Sequence, residues 1–84
     1  MEELREVGKI AHFFSRINVA VIEVTETISV GDRIFIKGPI TDIEQTINSM
    51  EIEHKKVKQA TVGQSVGMKV DGYVRENDTV YKTD

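Results

Sequence analysis

His12 and His54 are the only histidines in the chain, and imidazole is the side chain whose ordinary pKa best suits proton transfer near neutral pH. Neither has a second His, or any Cys, at metal-ligand spacing, and no glycine-flanked serine marks a nucleophile elbow. His12 therefore reads as a surface or partly buried side chain on a strand, and His54 as one at a strand end. Glu76 and Asp78 could divide acid and base work between them, but that chemistry needs a cleft that a chain this short can hardly supply. They read as turn and solvating groups. No catalytic residue and no metal ligand is expected.

The nearest approach to a phosphate loop is Gly67-Met68-Lys69-Val70-Asp71-Gly72, which has the glycine spacing of a Walker A sequence. Tyr73-Val74 follow where Lys and Ser or Thr would have to reach phosphate and magnesium, and Met68 to Val70 alternate like a strand. A strand with a glycine turn is the better reading, and no nucleotide or other cofactor is expected.

Lys55, Lys56 and Lys58 form the one basic cluster, and with His54 they are the candidate contact for a partner protein or for RNA phosphates. A solvated loop is the preferred reading, because the run is short and the rest of the chain acidic. Phe13 and Phe14 could offer a stacking face for a base. Adjacent strand residues point to opposite sides, so one of the two is expected in the core and the other remains a contact candidate.

The elements that must position these residues are strands. Val, Ile and Thr recur in short runs separated by turn chemistry. Val7 to Phe14 is the first run, and Ser15-Arg16-Ile17-Asn18 connects it to Val19 to Thr25. On that second run Ala20, Ile22 and Val24 share one face while Val19 and Val21 make the other face apolar too, as in a strand covered on both sides. Gly31-Asp32 turns the chain into Arg33 to Lys37, which ends at Gly38-Pro39. Ile43 to Glu53 fits either a helical stripe or a strand with a bulge near Asn48-Ser49, and the bulged strand is preferred. Ser65 to Val70 and Thr79 to Lys82 complete about six strands, enough for a closed or nearly closed antiparallel barrel without exposed edges. Residues 2 to 6 are expected to fray or form a short helical turn.

Eighty-four residues hold a single domain, taken here as 1–84, with a modest core. Eleven basic against fourteen acidic residues leave a formal charge of −3, so any contact with a phosphate backbone or anionic membrane must be local. The chain has no cysteine, which removes disulfides and thiolate chemistry and fits a reducing cytosol. The charged start Met1-Glu2-Glu3-Leu4-Arg5-Glu6 fits neither a signal peptide nor a membrane span, and a cytoplasmic location is expected. Asn77-Asp78-Thr79 matches a glycosylation sequon and reads as a chance match.

Several pieces of punctuation occur in a familiar order. They are Val30-Gly31-Asp32 before Ile34-x-Ile36, Met50-x-Ile52 with charges after it, Ala60-x-x-Gly63-x-x-Val66-Gly67-x-x-Val70, and Asn77-Asp78-Thr79-Val80. In this order, from Val7 to Lys82, the chain resembles the β-barrel that follows the GTPase domain in translational GTPases such as elongation factor Tu. The resemblance implies an all-β barrel like the second domain of those factors, with structural turns at Gly31, Asp32, Gly63, Gly67 and Asp78. Asn77 stands where the family usually has glycine, a mild departure because Asn tolerates a left-handed backbone. GTP hydrolysis is not carried over, since the sequence holds no GTPase domain. The implied function is a non-enzymatic binding module of the translation apparatus, with tRNA, the ribosome or a translation factor as partner. Similar barrels are also appended to enzymes such as collagenase-like peptidases, and an accessory subunit docking on such an enzyme without touching RNA is the alternative. The acidic balance favours that alternative.

Overall fold

In the computed structural model, which describes residues 3–83, the alternating runs are strands, and shorter ones lie between them. In chain order they are β1 (Leu4–Phe14), β2 (Val19–Val24), β3 (Ile28–Ser29), β4 (Arg33–Gly38), β5 (Thr41–Thr46), β6 (Met50–Ile52), β7 (Lys55–Val57), β8 (Gln59–Ala60), β9 (Ser65–Lys69) and β10 (Thr79–Thr83). Of residues 2 to 6, expected to fray or form a short helical turn, Leu4 to Glu6 are strand. Met1 and Glu2 lie outside the described residues, and Leu4 to Glu6 pair with Thr83 to Tyr81 as the start of β1.

The bulged strand expected over Ile43 to Glu53 is instead two strands on different parts of the sheet. β5 pairs with β4, whereas β6 pairs with β9 and β7. Ile47 makes the break. It is buried, its amide donates to Asp32 O at 2.9 Å, and its carbonyl accepts from Gly31 N at 2.9 Å, so the chain is held at the Gly31-Asp32 turn and redirected.

Eight strands form one antiparallel sheet in the order β5-β4-β10-β1-β2-β9-β6-β7, and β3 pairs with β8 alone. The expected all-β antiparallel fold is there; the ladder of this curled sheet is linear, and among the described residues no strand pairing joins β5 to β7, so closure of the expected closed or nearly closed barrel is not seen in the pairing. Much of the curl comes from β1. Its registers shift between Glu6 and Gly8 against β10 and between Ile10 and His12 against β2. Each extra residue bends the strand and strengthens its twist.

Ala20, Ile22 and Val24 of β2, Ile34 and Ile36 of β4, Val66 and Met68 of β9 and Val80 of β10 all point into one buried cluster. This is the one apolar parity of each run, gathered by the curl. The Cα radius of gyration is 11.4 Å, close to the ~12 Å of a compact chain this long. No helix of the described residues is long and apolar enough to cross a membrane.

Gly31 and Gly63 hold φ of 100° and 89°, a region open to glycine at little cost, and Asn77 takes φ 74°. Asp32 caps its turn, its Oδ2 accepting from Ser29 N at 2.9 Å and from Lys82 Nζ at 3.3 Å. Gly67 does not turn the chain; it lies inside β9. Asp78 is not a solvating group either. It is buried, and its Oδ2 accepts from Arg75 N at 2.9 Å.

Candidate functional site

The outward face of the sheet is where the sequence leaves something unfinished. Along β2 the residues facing away from the core are Val19, Val21 and Glu23, and the register sets Val19 between Phe14 and Lys69, Val21 between His12 and Gly67. The pattern of β2 predicts cover on both sides, but only the core side is covered. Val19 and Val21 instead line an open groove of about 640 Å³, together with Phe14, Ile17, Gly67 and the lip residues Glu51 and Glu53. Phe14 is 47% exposed and Ile17 56% exposed, and both are large apolar side chains.

The bulge at Ala11 explains why Phe14 stands here. It resets the alternation of β1, so that Phe13 packs against the core while His12 and Phe14 share the outer face with ring centroids 4.5 Å apart. Phe13 meets Tyr73 edge to face at 5.0 Å, and the Arg75 guanidinium lies 4.9 Å from the Tyr73 ring centroid.

The lip opposite β2 is the β6–β7 hairpin. Ile52 pairs with Lys55, leaving Glu53 and His54 as a two-residue turn with φ of 51° and 66°. Both angles are left-handed, as a type I′ turn requires, and neither residue is the glycine or asparagine that usually fills it. A left-handed backbone costs a residue with a Cβ about 1 kcal/mol or more. The turn holds the Glu53 and His54 side chains at the end of the groove.

Of the candidate contact residues, His54 reaches the groove and Lys55, Lys56 and Lys58 do not. Lys55 and Lys56 lie on β7, the last strand of the ladder. Lysines on an exposed edge oppose strand addition from another molecule, and Lys58 lies between β7 and β8. The other edge, β5, carries Asp42 and Glu44 in ion pairs with Lys37 and Arg33 at 3.0 and 2.9 Å.

Among the described residues the one hydrogen bond seen at a histidine ring is to a carboxylate. His12 Nδ1 lies 3.3 Å from Glu76 Oε2, and both side chains are more than half exposed, so water screens the pair. Among the described residues no group of three His, Cys, Asp or Glu is placed to hold a metal ion. Gly67 to Lys69, the heart of the Walker-like spacing, are paired strand residues and offer no free amides to a phosphate.

Sequence reasoning missed Gln45. Its side chain is buried on edge strand β5, where Nε2 donates to Lys69 O at 2.9 Å and Oε1 accepts from Asp71 N at 2.7 Å. This one amide does for the gap between β5 and the end of β9 what a ladder would do. A glutamine among alternating residues gives no signal of such a role.

With this geometry in hand, comparison with known proteins is informative. No family model matches the chain. An uncharacterised protease of Methanocaldococcus jannaschii is 40% identical over 77 residues, which is 90% of this chain. The chain spans only 19% of that relative's length. Two crystal structures of the C-terminal domain of a Geobacillus thermoleovorans protein assigned as a U32 peptidase share the fold. The selenomethionine form gives a TM-score of 0.89 at 20% identity, covering 93% of this chain and 99% of that domain. The second gives 0.86 at 18% identity, covering 94% and 91%.

These relatives correct the elongation-factor resemblance, and the tRNA, ribosome and translation-factor partners go with it. The shared pieces were turn residues such as Gly31, Asp32, Gly63 and Asp78 together with short apolar strand runs. Small β domains with similar turns need the same residues whatever they bind.

Proposed function

We propose that this chain is a non-catalytic accessory module that docks on a collagenase-like peptidase and makes no RNA contact. One observation carries the reading: 90% of the chain aligns at 40% identity with less than a fifth of a protease, leaving most of that protease outside the matched segment. The likeness to an isolated C-terminal domain of a protein assigned as a U32 peptidase supports a module attached to a larger body. The curled sheet supplies a rigid face, and its outer groove offers apolar surface for a partner. The lysines of β7 serve as edge protection in this reading. A cytoplasmic location is part of the proposal, and a chain without cysteine is compatible with it.

The test is affinity purification of the tagged chain from its own cells, with proteins identified by mass spectrometry and nucleic acid by absorbance. A stoichiometric peptidase without RNA is the expected result. Recovery of RNA or ribosomal proteins in place of a peptidase would overturn the reading.

A further inference from the structure

The outer groove contains a glycine that the chain's own fold does not require. Gly67 sits mid-strand in β9, where glycine costs backbone entropy and contributes no packing. Its φ is not in the left-handed region. A Cβ built on it would meet Val19 Cγ1 at 3.6 Å and Glu51 O at 3.8 Å, both ordinary van der Waals separations. A side chain here would instead occupy the floor of the groove between Val21 and Glu51, its neighbours in register. A strand glycine of this kind marks a place where something else approaches the backbone.

The occupant's chemistry follows from the walls. Val19, Val21, Phe14 and Ile17 present apolar surface, so the groove takes an apolar side chain, and about 640 Å³ holds two or three. Glu51 on β6 and Glu53 in the turn after it stand on the lip; among the described residues neither is in an ion pair, and Lys56 lies across from Glu51 in register. Lys69 lies at the other end, beside Val19, and is likewise without an ion pair. Two carboxylates with one lysine opposite leave the lip acidic, which favours a cation placed next to the apolar anchor. In the relative that matches this chain four-fifths of the length lies outside the matched segment, and the accessory reading supplies a peptidase polypeptide as the occupant.

We infer that this groove is the docking site for a polypeptide segment of the peptidase partner. The segment seats an apolar side chain on Gly67 between Val19 and Val21 and sets a Lys or Arg against Glu51 and Glu53. The identity of the partner rests on the accessory-module reading; the groove and its preference do not.

Three synthetic peptides of about twelve residues test it, sharing one Phe-Leu anchor and differing only in its flanks: two Arg, two Gln or two Glu. They are titrated into the whole chain and followed through backbone amide NMR shifts. The Arg peptide is expected to move the amides of Gly67, Val19, Val21 and Glu51 and to bind about tenfold or more tighter than the Glu peptide. Gly67→Val is expected to keep a dispersed spectrum and lose about tenfold or more in affinity. Glu51→Lys with Glu53→Lys reverses the preference, which keeps the proposal testable should Gly67→Val fail to fold. Binding by no peptide, equal binding of Arg and Glu peptides, or shifts confined to β5 or β7 would overturn it. So would concentration-dependent shifts at Val19 and Val21 without peptide, which would make a second copy the occupant. If a peptidase co-purifies equally with wild type and folded Gly67→Val, the groove proposal falls and the accessory reading stands. If the Arg peptide binds but no peptidase co-purifies, the reverse holds.

Discussion

Gly38 and the buried carboxylate of Asp78 compete for one volume: a Cβ on Gly38 would overlap Asp78 Oδ1. The carboxylate is fixed there because Oδ2 accepts the Arg75 amide at 2.9 Å while the main chain of Asp78 bonds to Ile10 at 2.8 Å. Glycine at the end of β4 is thus set by the turn that precedes β10, forty residues later in the chain. Gly38→Ala is expected to destabilise by about 2 kcal/mol, the ordinary cost of overpacking a closed site. Urea unfolding followed by circular dichroism measures it, and an unchanged midpoint would show that the carboxylate can move aside.

The left-handed hairpin turn predicts a change of the opposite sign. His54 holds φ 66° with a Cβ, so His54→Gly removes steric cost at that position, partly offset by the greater freedom glycine gives the unfolded chain. The net expectation is a gain of about 0.5 to 1 kcal/mol, read as a higher melting temperature. A loss of stability would mean that the imidazole contributes contacts that outweigh the backbone cost.

Gln45 bonds two main-chain groups with one buried amide. Gln45→Leu keeps the bulk but leaves Lys69 O and Asp71 N without these partners, and a loss of about 2 to 4 kcal/mol is expected in chemical denaturation. Gln45→Glu should be at least as destabilising as Leu at neutral pH, because a buried carboxylate would face the Lys69 carbonyl with no cation beside it, and it should improve as pH falls and the protonated acid can donate to Lys69 O.

Lys55 and Lys56 guard an open edge, so replacing both with Val should leave the monomer folded and promote association through β7. Light scattering against concentration is the measurement. Replacement by Glu, which keeps the edge charged, should leave the chain as dispersed as wild type. If the Glu variant also associates, charge at this edge is not what prevents it.

Alternation made β2, β4, β9 and β10 legible, because four or more residues of period two leave a clear trace around Ile22, Ile34, Met68 and Val80. β3 and β8 have two residues each, too few for any period. The break at Ile47 was hidden for a different reason. Its cause is a pair of hydrogen bonds to Gly31 and Asp32, and pairing across that distance leaves no mark on local composition. The groove was half legible. Val19 and Val21 announced a second apolar face on β2, but only the structure shows that the chain itself does not cover it. Gly67 invited a turn assignment because glycine most often means one, whereas here it is absence of bulk that matters. Lys55, Lys56 and Lys58 suggested phosphate because sequence shows charge without showing that β7 is an edge.

The seam spanned by Gln45 also sets where the molecule should open first. Strand ladders inside the sheet are released only when neighbouring strands separate, but between β5 and the chain after β9, where Ile43 lies against Gly72, the hydrogen bonds of the Asp71 amide and the Lys69 carbonyl are made by a single side chain. A rotation of that side chain would free the Asp71 amide without disturbing a ladder. In deuterium, Asp71 should therefore exchange through a local fluctuation, well before the amides of Ile22 and Val66 at the centre of the sheet, whose exchange waits for global unfolding.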